Sequence, residues 1–496
     1  MAKERRQPVL EVEQPCAMSS RARLLVLLLG PALALVPMLM APPAGLSEGA
    51  WRLVGLTAWM ALWWFTEAIP IPATALLPLV WMPLTGIMDE KQTAARYADP
   101  IIFLFLGGFL IAASMERWGL HRRVALLVIR WVGVSPARLV GGFMLATALV
   151  SMWLNNTSTT MMMYAVGLSV LQWVRGVEAM RATHAFGAAL MLGIAYSASI
   201  GGVGTLVGTA PNALLAGYLR DAHNLPLDMG RWLWIGIPFV ALMLPFTWFW
   251  LTAVQFRLWG QHLRGLEQQL HAQLTSREPM NRGEKTVLVV FLMAVIGWLL
   301  RQPLQERFGL PLSDSAIAIG AALLLFLLPA SRAPRQPVLD WETAIKIPWG
   351  VLLLFGGGLA LASAFESTGL ARWIGERVQG LQGVDVWLLV LTVATLIIFL
   401  TELTSNTAVA ATFLPIMGAV AVGLNIDPRL LTIPVGVGAS AAFMLPIATP
   451  PNAIVFASGE VRLNEMIRAG FMLNLACIVT VLLITMVFAR YGLGIP

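Results

Sequence analysis

The chain has 496 residues, 58% of them hydrophobic and 12% charged, with a mean hydropathy of +0.76. A soluble domain carries about 25% charged residues, so this composition excludes an ordinary soluble enzyme and points to an all-α polytopic membrane protein. The net charge of +7 does not argue for nucleic acid, because Lys and Arg lie in the connections between apolar runs, where membrane topology places them.

Apolar runs of bilayer-spanning length, about 17–25 residues, recur along the chain. After a polar tail (1–23), the run from Leu24 to Ala41 predicts a first spanning helix within 24–48 rather than a signal peptide. The tail is long, and the run exceeds a usual signal core. Further spans are predicted at 50–68, 72–88, 100–116, 184–219 (broken), 231–254, 285–301, 315–330, 348–365, 429–458 (broken) and 466–489. Two stretches, 136–173 and 384–424, are different. Each is long enough to enter the membrane and leave again, and each has a polar cluster at its middle: SMWLNNTSTT (151–160) and TELTSNT (401–407).

Basic residues set the orientation. The tail carries Lys3, Arg5, Arg6, Arg21 and Arg23. Connection 257–285 carries Arg257, Arg264, Arg277, Arg282 and Lys285, and connection 331–346 carries Arg332, Arg335 and Lys346. These three are expected to be cytoplasmic, and the C-terminus is expected outside. Segment 257–284 reads as an amphipathic connection at the inner surface, with a plain solvated loop as the alternative. Cys16 and Cys477 read as unpaired, and His121, His184, His223, His262 and His271 lack metal-ligand spacing.

The chain repeats itself. FLGGFLIAASMERWGLHRRV (105–124) resembles FGGGLALASAFESTGLARWI (355–374) at an offset of 250, and NNTST (155–159) matches SNTAV (405–409) at the same offset. TAPNAL (209–214) matches TPPNAI (449–454) at an offset of 240. The chain is therefore read as a first helix followed by two copies of one unit, 49–256 and 285–496. Five spans separate the starts of the copies if each odd stretch re-enters on its own side, and an odd number inverts the second copy. Inverted repeats place a substrate site at the midplane, where broken helices from both halves meet.

The polar clusters suit such a site. Unpaired backbone in hydrocarbon is tolerated only where protein or a water-filled cavity surrounds it, and Ser, Asn and Thr favour turns and helix starts. Each cluster then reads as the turn of a re-entrant hairpin. Carbonyls at the end of its first half-helix suit a cation, and amides at the start of its second suit an anion. In SIGGVGTLVGTAPNAL (199–214) and LPIATPPNAI (445–454), glycines and prolines break the helix to the same effect. Ser and Thr in membrane helices also bond across helices without binding anything, but polar clusters at matching positions of both copies favour a site. Of the glutamates Glu67, Glu116, Glu366 and Glu402, all expected near helix ends, Glu402 is the one to test. No Lys or Arg lies within the four motifs, so an anion bound there would be met by helix dipoles and bound cations, which suggests cation co-transport.

The paired Asn155-Asn156-Thr157 and Ser405-Asn406-Thr407, with WWFTEAIP, YSASIGGVGTLVGTAPN and TPPNA, resemble the divalent anion:sodium symporter family, which includes bacterial sodium:dicarboxylate symporters. The likeness covers nearly the whole chain. It implies about 11 transmembrane helices in an inverted repeat, two re-entrant hairpins, elevator-type scaffold and transport domains, and a homodimer in the lipid of the cell inner membrane. On matching positions it implies that Asn156, Thr157, Asn406 and Thr407 bind substrate carboxylates, with Thr205, Thr449 and Pro450 beside them. One sodium site would use Ser151, Asn155, Asn156 and Gly204, and the other Thr401, Ser405, Asn406 and Ala448. Asn155 stands where the family usually has Ser.

The expected activity is symport of a succinate-like C4-dicarboxylate with Na+, sodium being co-transported and not a prosthetic group. The alternatives are a sodium-independent dicarboxylate/tricarboxylate exchanger and a symporter of sulfate or another divalent anion. The resemblance implies carboxylates over sulfate, since the short 257–285 connection leaves no room for the large soluble inserts of some sulfate-transporting members of that family. Inverted repeats with broken helices argue against a channel. The lack of a paired nucleophile and base, or of a metal cluster, argues against an enzyme.

Overall fold

In a computed structural model, residues 20–124, 127, 135–175, 180–260, 279–309, 311–330, 336–378, 380 and 383–495 are described. The tail up to residue 19, most of the 257–284 connection, and Arg332 and Arg335 fall outside them. Regular structure among the described residues is helical, apart from a single bridge between Pro329 and Pro337. Eight of these helices are long and apolar enough to cross a membrane, and further apolar helices are shorter. This supports a multi-pass membrane protein.

Helix α1 (Ser20–Leu39) packs on α2 (Glu48–Thr66). Ser47 starts α2 by accepting from Ala50 N, and Glu67 ends it at φ 48. The span predicted at 72–88 is instead two helices, α3 (Ile71–Thr74) and α4 (Leu77–Thr85). Pro72 and Pro78 each sit in a first turn, where the missing N–H is not needed, so each starts a helix afresh. Then come α5 (Glu90–Ala95) and α6 (Pro100–Arg117).

Helices α7 (Pro136–Ser151) and α8 (Asn156–Arg175) are joined by a short turn. The next long apolar segment is broken into α9 (Met180–Val203) and α10 (Ala210–His223). Helix α11 (Met229–Phe249) runs on through a π-helical turn to Gln255.

The second copy begins with α12 (Arg282–Phe308), opened by a reciprocal cap between Asn281 and Glu284, and α13 (Asp314–Leu327). Next are α14 (Trp341–Ala344), α15 (Trp349–Ser367) and α16 (Leu370–Arg377). Helices α17 (Val386–Leu400) and α18 (Asn406–Gly423) form the second helix-turn-helix pair. Helices α19 (Arg429–Gly438) and α20 (Pro450–Ala457) form the second broken pair, and α21 (Leu463–Leu483) follows.

The internal repeat has a structural counterpart. A Cβ on Gly107 would lie 2.5 Å from the Ala318 backbone, and one on Gly357 would lie 2.6 Å from the Ala75 carbonyl. The two glycines thus allow the same close helix crossing, α6 on α13 and α15 beside α3. Asp89 caps α5 through Gln92 N at 2.8 Å, and Asp340 caps α14 through Thr343 N at 2.9 Å. The copies also interlock: α10 of the first packs on α18 and α19 of the second, and α20 of the second packs on α8 and α9 of the first. Within each copy the turn also meets the helix break: Thr205 donates to the Met152 carbonyl in the first, and Glu402 accepts from the Phe443 amide in the second.

Candidate functional site

Both helix-turn-helix tips are built alike. At the first, Ser151 Oγ lies 2.8 Å from Asn156 Oδ1 and 2.7 Å from the Ala198 carbonyl oxygen. At the second, Thr401 Oγ1 lies 2.7 Å from Asn406 Oδ1 and 2.8 Å from the Ala439 carbonyl oxygen. Ser151 and Thr401 are fully buried. A hydroxyl has one proton, so in each cluster three oxygens share a single hydrogen. Such a proton-poor oxygen cluster suits a hard cation, which takes hydroxyl, amide and carbonyl oxygens as ligands.

Around these clusters, Asn155, Asn156 and Thr157, and Ser405, Asn406 and Thr407, are half-buried at the starts of α8 and α18. Free amides and the positive end of the helix dipole favour an anion at such a start. Asn155 Oδ1 accepts from Ser158 N at 2.8 Å and so caps α8, whereas Ser405 makes no side-chain cap. The larger residue at 155 therefore has a local role of its own.

The helix breaks also correspond. Asn212 Nδ2 donates to the carbonyls of Gly202 (3.1 Å) and Thr205 (2.7 Å), and Asn452 Nδ2 donates to those of Ala442 (3.2 Å) and Leu445 (3.0 Å). Each fully buried Asn supplies donors to carbonyls that the break deprives of helical partners. Among the described residues its Oδ1 has no hydrogen-bond partner in either copy. Sequence reasoning credited the prolines of these motifs and missed Asn212 and Asn452, although their 240-residue offset was a readable signal.

The other expected site residues occupy varied places. Thr205 is buried, and its hydroxyl donates to the Met152 carbonyl, tying the first tip to the first break. Thr449 caps α20 through Asn452 N at 3.4 Å, and Pro450 beside it is exposed. The Ala448 amide donates to Leu445 O at 3.2 Å. The Gly204 carbonyl lies tight against Gly236 of α11, where a Cβ would clash with it. The carbonyls that reach Ser151 and Thr401 are instead those of Ala198 and Ala439. A backbone carbonyl carries no sequence signature, so neither could have been named beforehand. A Cβ on Gly202 would clash with Asn156 Oδ1, which sets the first tip directly against the first break.

Of the four glutamates, Glu67 ends α2, and Glu116 and Glu366 lie in the last turns of α6 and α15. Glu402 differs: it is 3% exposed within the second tip. Its carboxylate accepts from the amides of Phe443 (2.7 Å), Met444 (2.9 and 3.0 Å) and Leu445 (3.2 Å), and from Asn474 Nδ2 (2.8 Å).

Comparison with known proteins agrees with this architecture. The profile of the family described as the sodium:sulfate symporter transmembrane region matches residues 21–493. The chain is 40% identical over 480 residues to the sodium-dependent dicarboxylate transporter SdcS of Staphylococcus saprophyticus, covering 95% of this chain and 92% of that one. It is 39% identical over 483 residues to the SdcS of Staphylococcus aureus strain USA300, covering 96% and 93%. Among solved structures, the YdaH transporter of Alcanivorax borkumensis superposes with a TM-score of 0.54 at 13% identity, covering 95% of this chain and 98% of that one. MtrF of Neisseria gonorrhoeae does so at 0.57 and 14%, covering 93% and 94%. At such identities the structural likeness concerns the fold alone.

Proposed function

The chain belongs to the family of the sodium:sulfate symporter transmembrane region, and we propose that it carries a C4-dicarboxylate across the cell inner membrane together with Na+. The observation that carries this reading is the pair of proton-poor oxygen clusters at equivalent turns of the two copies, each beside a helix start that offers amides to an anion. The relatives named as sodium-dependent dicarboxylate transporters support both halves of the reading.

In this reading α7–α8 and α17–α18 are re-entrant hairpins from opposite sides, with the N-terminus cytoplasmic and the C-terminus periplasmic. Asn156, Thr157, Asn406 and Thr407 donate to the two substrate carboxylates, and Thr449 and Pro450 shape the wall beside them. Ser151 with Asn156 and Ala198, and Thr401 with Asn406 and Ala439, hold cations. Each Asn uses its carbonyl oxygen toward the cation and its amide nitrogen toward the anion. Cation binding thus orders the donor that the anion needs, which couples the two without a basic residue. A homodimeric scaffold with a moving transport unit completes the proposal.

The test is succinate uptake into proteoliposomes, empty or preloaded, with external sodium exchanged for choline and with sulfate as competitor. Sodium-dependent uptake into empty vesicles, not displaced by sulfate, is expected. Uptake that needs preloaded substrate and ignores sodium would replace symport with exchange. Sulfate as the better substrate would overturn the choice of anion.

A further inference from the structure

Glu402 is a buried carboxylate whose five hydrogen bonds among the described residues all come from neutral donors, four of them from three successive backbone amides, 443–445. Successive amides converging on one point form an anion-binding nest. Here the nest lies in the second helix break, and a side chain of the same protein fills it. The donor geometry requires a carboxylate. The two oxygens together accept from all three amides, and a Gln side chain would turn an NH2 group toward at least one of them.

The first copy solves the same problem differently. The counterpart of Glu402 at the 250-residue offset is Met152, and the counterpart of Leu445 at the 240-residue offset is Thr205. There the Thr205 hydroxyl donates to the Met152 backbone carbonyl. One tip is tied to its break by a neutral bond made from the break, the other by a charged bond made from the tip. The second break, 439–449, is also longer than the first, 204–209. Its shape depends more on whatever fills it.

We propose that Glu402 is a positioning residue: its carboxylate, as the resident anion of the 443–445 amide nest, fixes the second helix break and with it the Ala439 carbonyl and Thr401 hydroxyl that receive a cation. It keeps the transported anion out of the nest, and its charge, one residue from Thr401, favours a cation in that cluster. Asn474, from α21, holds the carboxylate in place. This rests on the symport reading above.

The experiment compares wild type with Glu402→Gln, Glu402→Asp and Glu402→Ala. Uptake is titrated separately with sodium and with succinate, and the sodium-induced rise in melting temperature of the purified protein reads cation binding without transport. Loss of a group that orients a cation's ligands typically costs 10–100-fold in affinity, so Glu402→Gln and Glu402→Ala are expected to raise half-saturating sodium by about tenfold or more. Their succinate KM at saturating sodium should stay near wild type. Glu402→Asp is expected to recover part of the loss. Formate, which fits the vacated nest, should restore sodium affinity to Glu402→Ala but not to Glu402→Gln. A Gln variant with wild-type sodium titration, a defect in succinate KM alone, or an Ala variant that formate leaves unchanged would each overturn the proposal. Wild type lacking both sodium-dependent uptake and a sodium-induced melting shift would instead overturn the symport reading.

Discussion

Ser151 Oγ approaches Asn156 Oδ1 to 2.8 Å, and 250 residues later Thr401 Oγ1 approaches Asn406 Oδ1 to 2.7 Å. The same contact recurs in two copies of different sequence, Ser in one and Thr in the other. What is shared is a hydroxyl, an amide oxygen and a backbone carbonyl around one proton.

If these clusters hold cations, removing the hydroxyl removes one ligand. Ser151→Ala and Thr401→Ala are each expected to raise the sodium concentration for half-maximal uptake by about tenfold, within the range seen when a cation site loses supporting groups. Thr401→Ser keeps the oxygen and should titrate like wild type. Initial uptake rates against sodium in proteoliposomes decide this. Alanine variants that titrate normally would place the cations elsewhere.

Asn155 caps α8 through Ser158 N. Ser is as good a cap as Asn, so Asn155→Ser is expected to retain both uptake and sodium affinity, and Asn155→Ala to lose about 1 kcal/mol of stability. Thermal unfolding in detergent alongside uptake separates the two effects. A serine variant that gains sodium affinity would make the asparagine a cation-site adaptation instead of a cap.

A methyl group at Gly202 would come within 2.4 Å of Asn156 Oδ1, too close for both to stay. Asn156 is a side chain and can turn aside, so Gly202→Ala is expected to cost little stability. The turn breaks the Ser151–Asn156–Ala198 cluster, and sodium-driven uptake should fall by about tenfold or more by the same ligand-orientation argument. Gly320 has nothing within 4 Å of a prospective Cβ, so Gly320→Ala is the control and should transport normally. Equal activity of the two variants would separate Asn156 from the cluster.

The sequence made the repeat legible because both copies keep residues with strict local duties. Gly107 and Gly357 permit close crossings, Asn156 and Asn406 start helices, and Asn212 and Asn452 satisfy broken backbone. Side-chain chemistry at a turn can be read without coordinates. Backbone ligands cannot: Ala198 and Ala439 supply carbonyls, and any residue supplies a carbonyl. Helix boundaries were also blurred where apolar sequence runs on across a stop, as at Pro72 and Pro78. Glu402 was expected near a helix end, but its partners at 443–445 are distant in sequence and engage it through amides that every residue but proline possesses.

Trp153, in the first tip, stacks on Trp298 of α12 with centroids 6.1 Å apart and planes 6° from parallel, and meets Phe291 edge-on at 5.0 Å. Its counterpart in the second tip, Leu403, is 66% exposed. The first tip is thus docked on α12, while the corresponding position of the second has no such cover. Aromatic pairs contribute about 0.5–1.5 kcal/mol each beyond their buried area, so Trp153→Leu, which writes the second copy's residue into the first, is expected to lower the melting temperature measurably. Leu403→Ala should leave it unchanged. If carriage of substrate requires the first tip to leave α12, Trp153→Leu should also change the maximal uptake rate with little effect on sodium affinity, because the ring stacks on α12 and supplies none of the oxygens of the Ser151 cluster. Melting curves and sodium titrations of the two variants side by side test both points. A Trp153→Leu protein as stable as wild type would mean that the stack holds no free energy. A fall in sodium affinity as large as that of Ser151→Ala would mean that the ring supports the cluster itself and does not merely dock the tip.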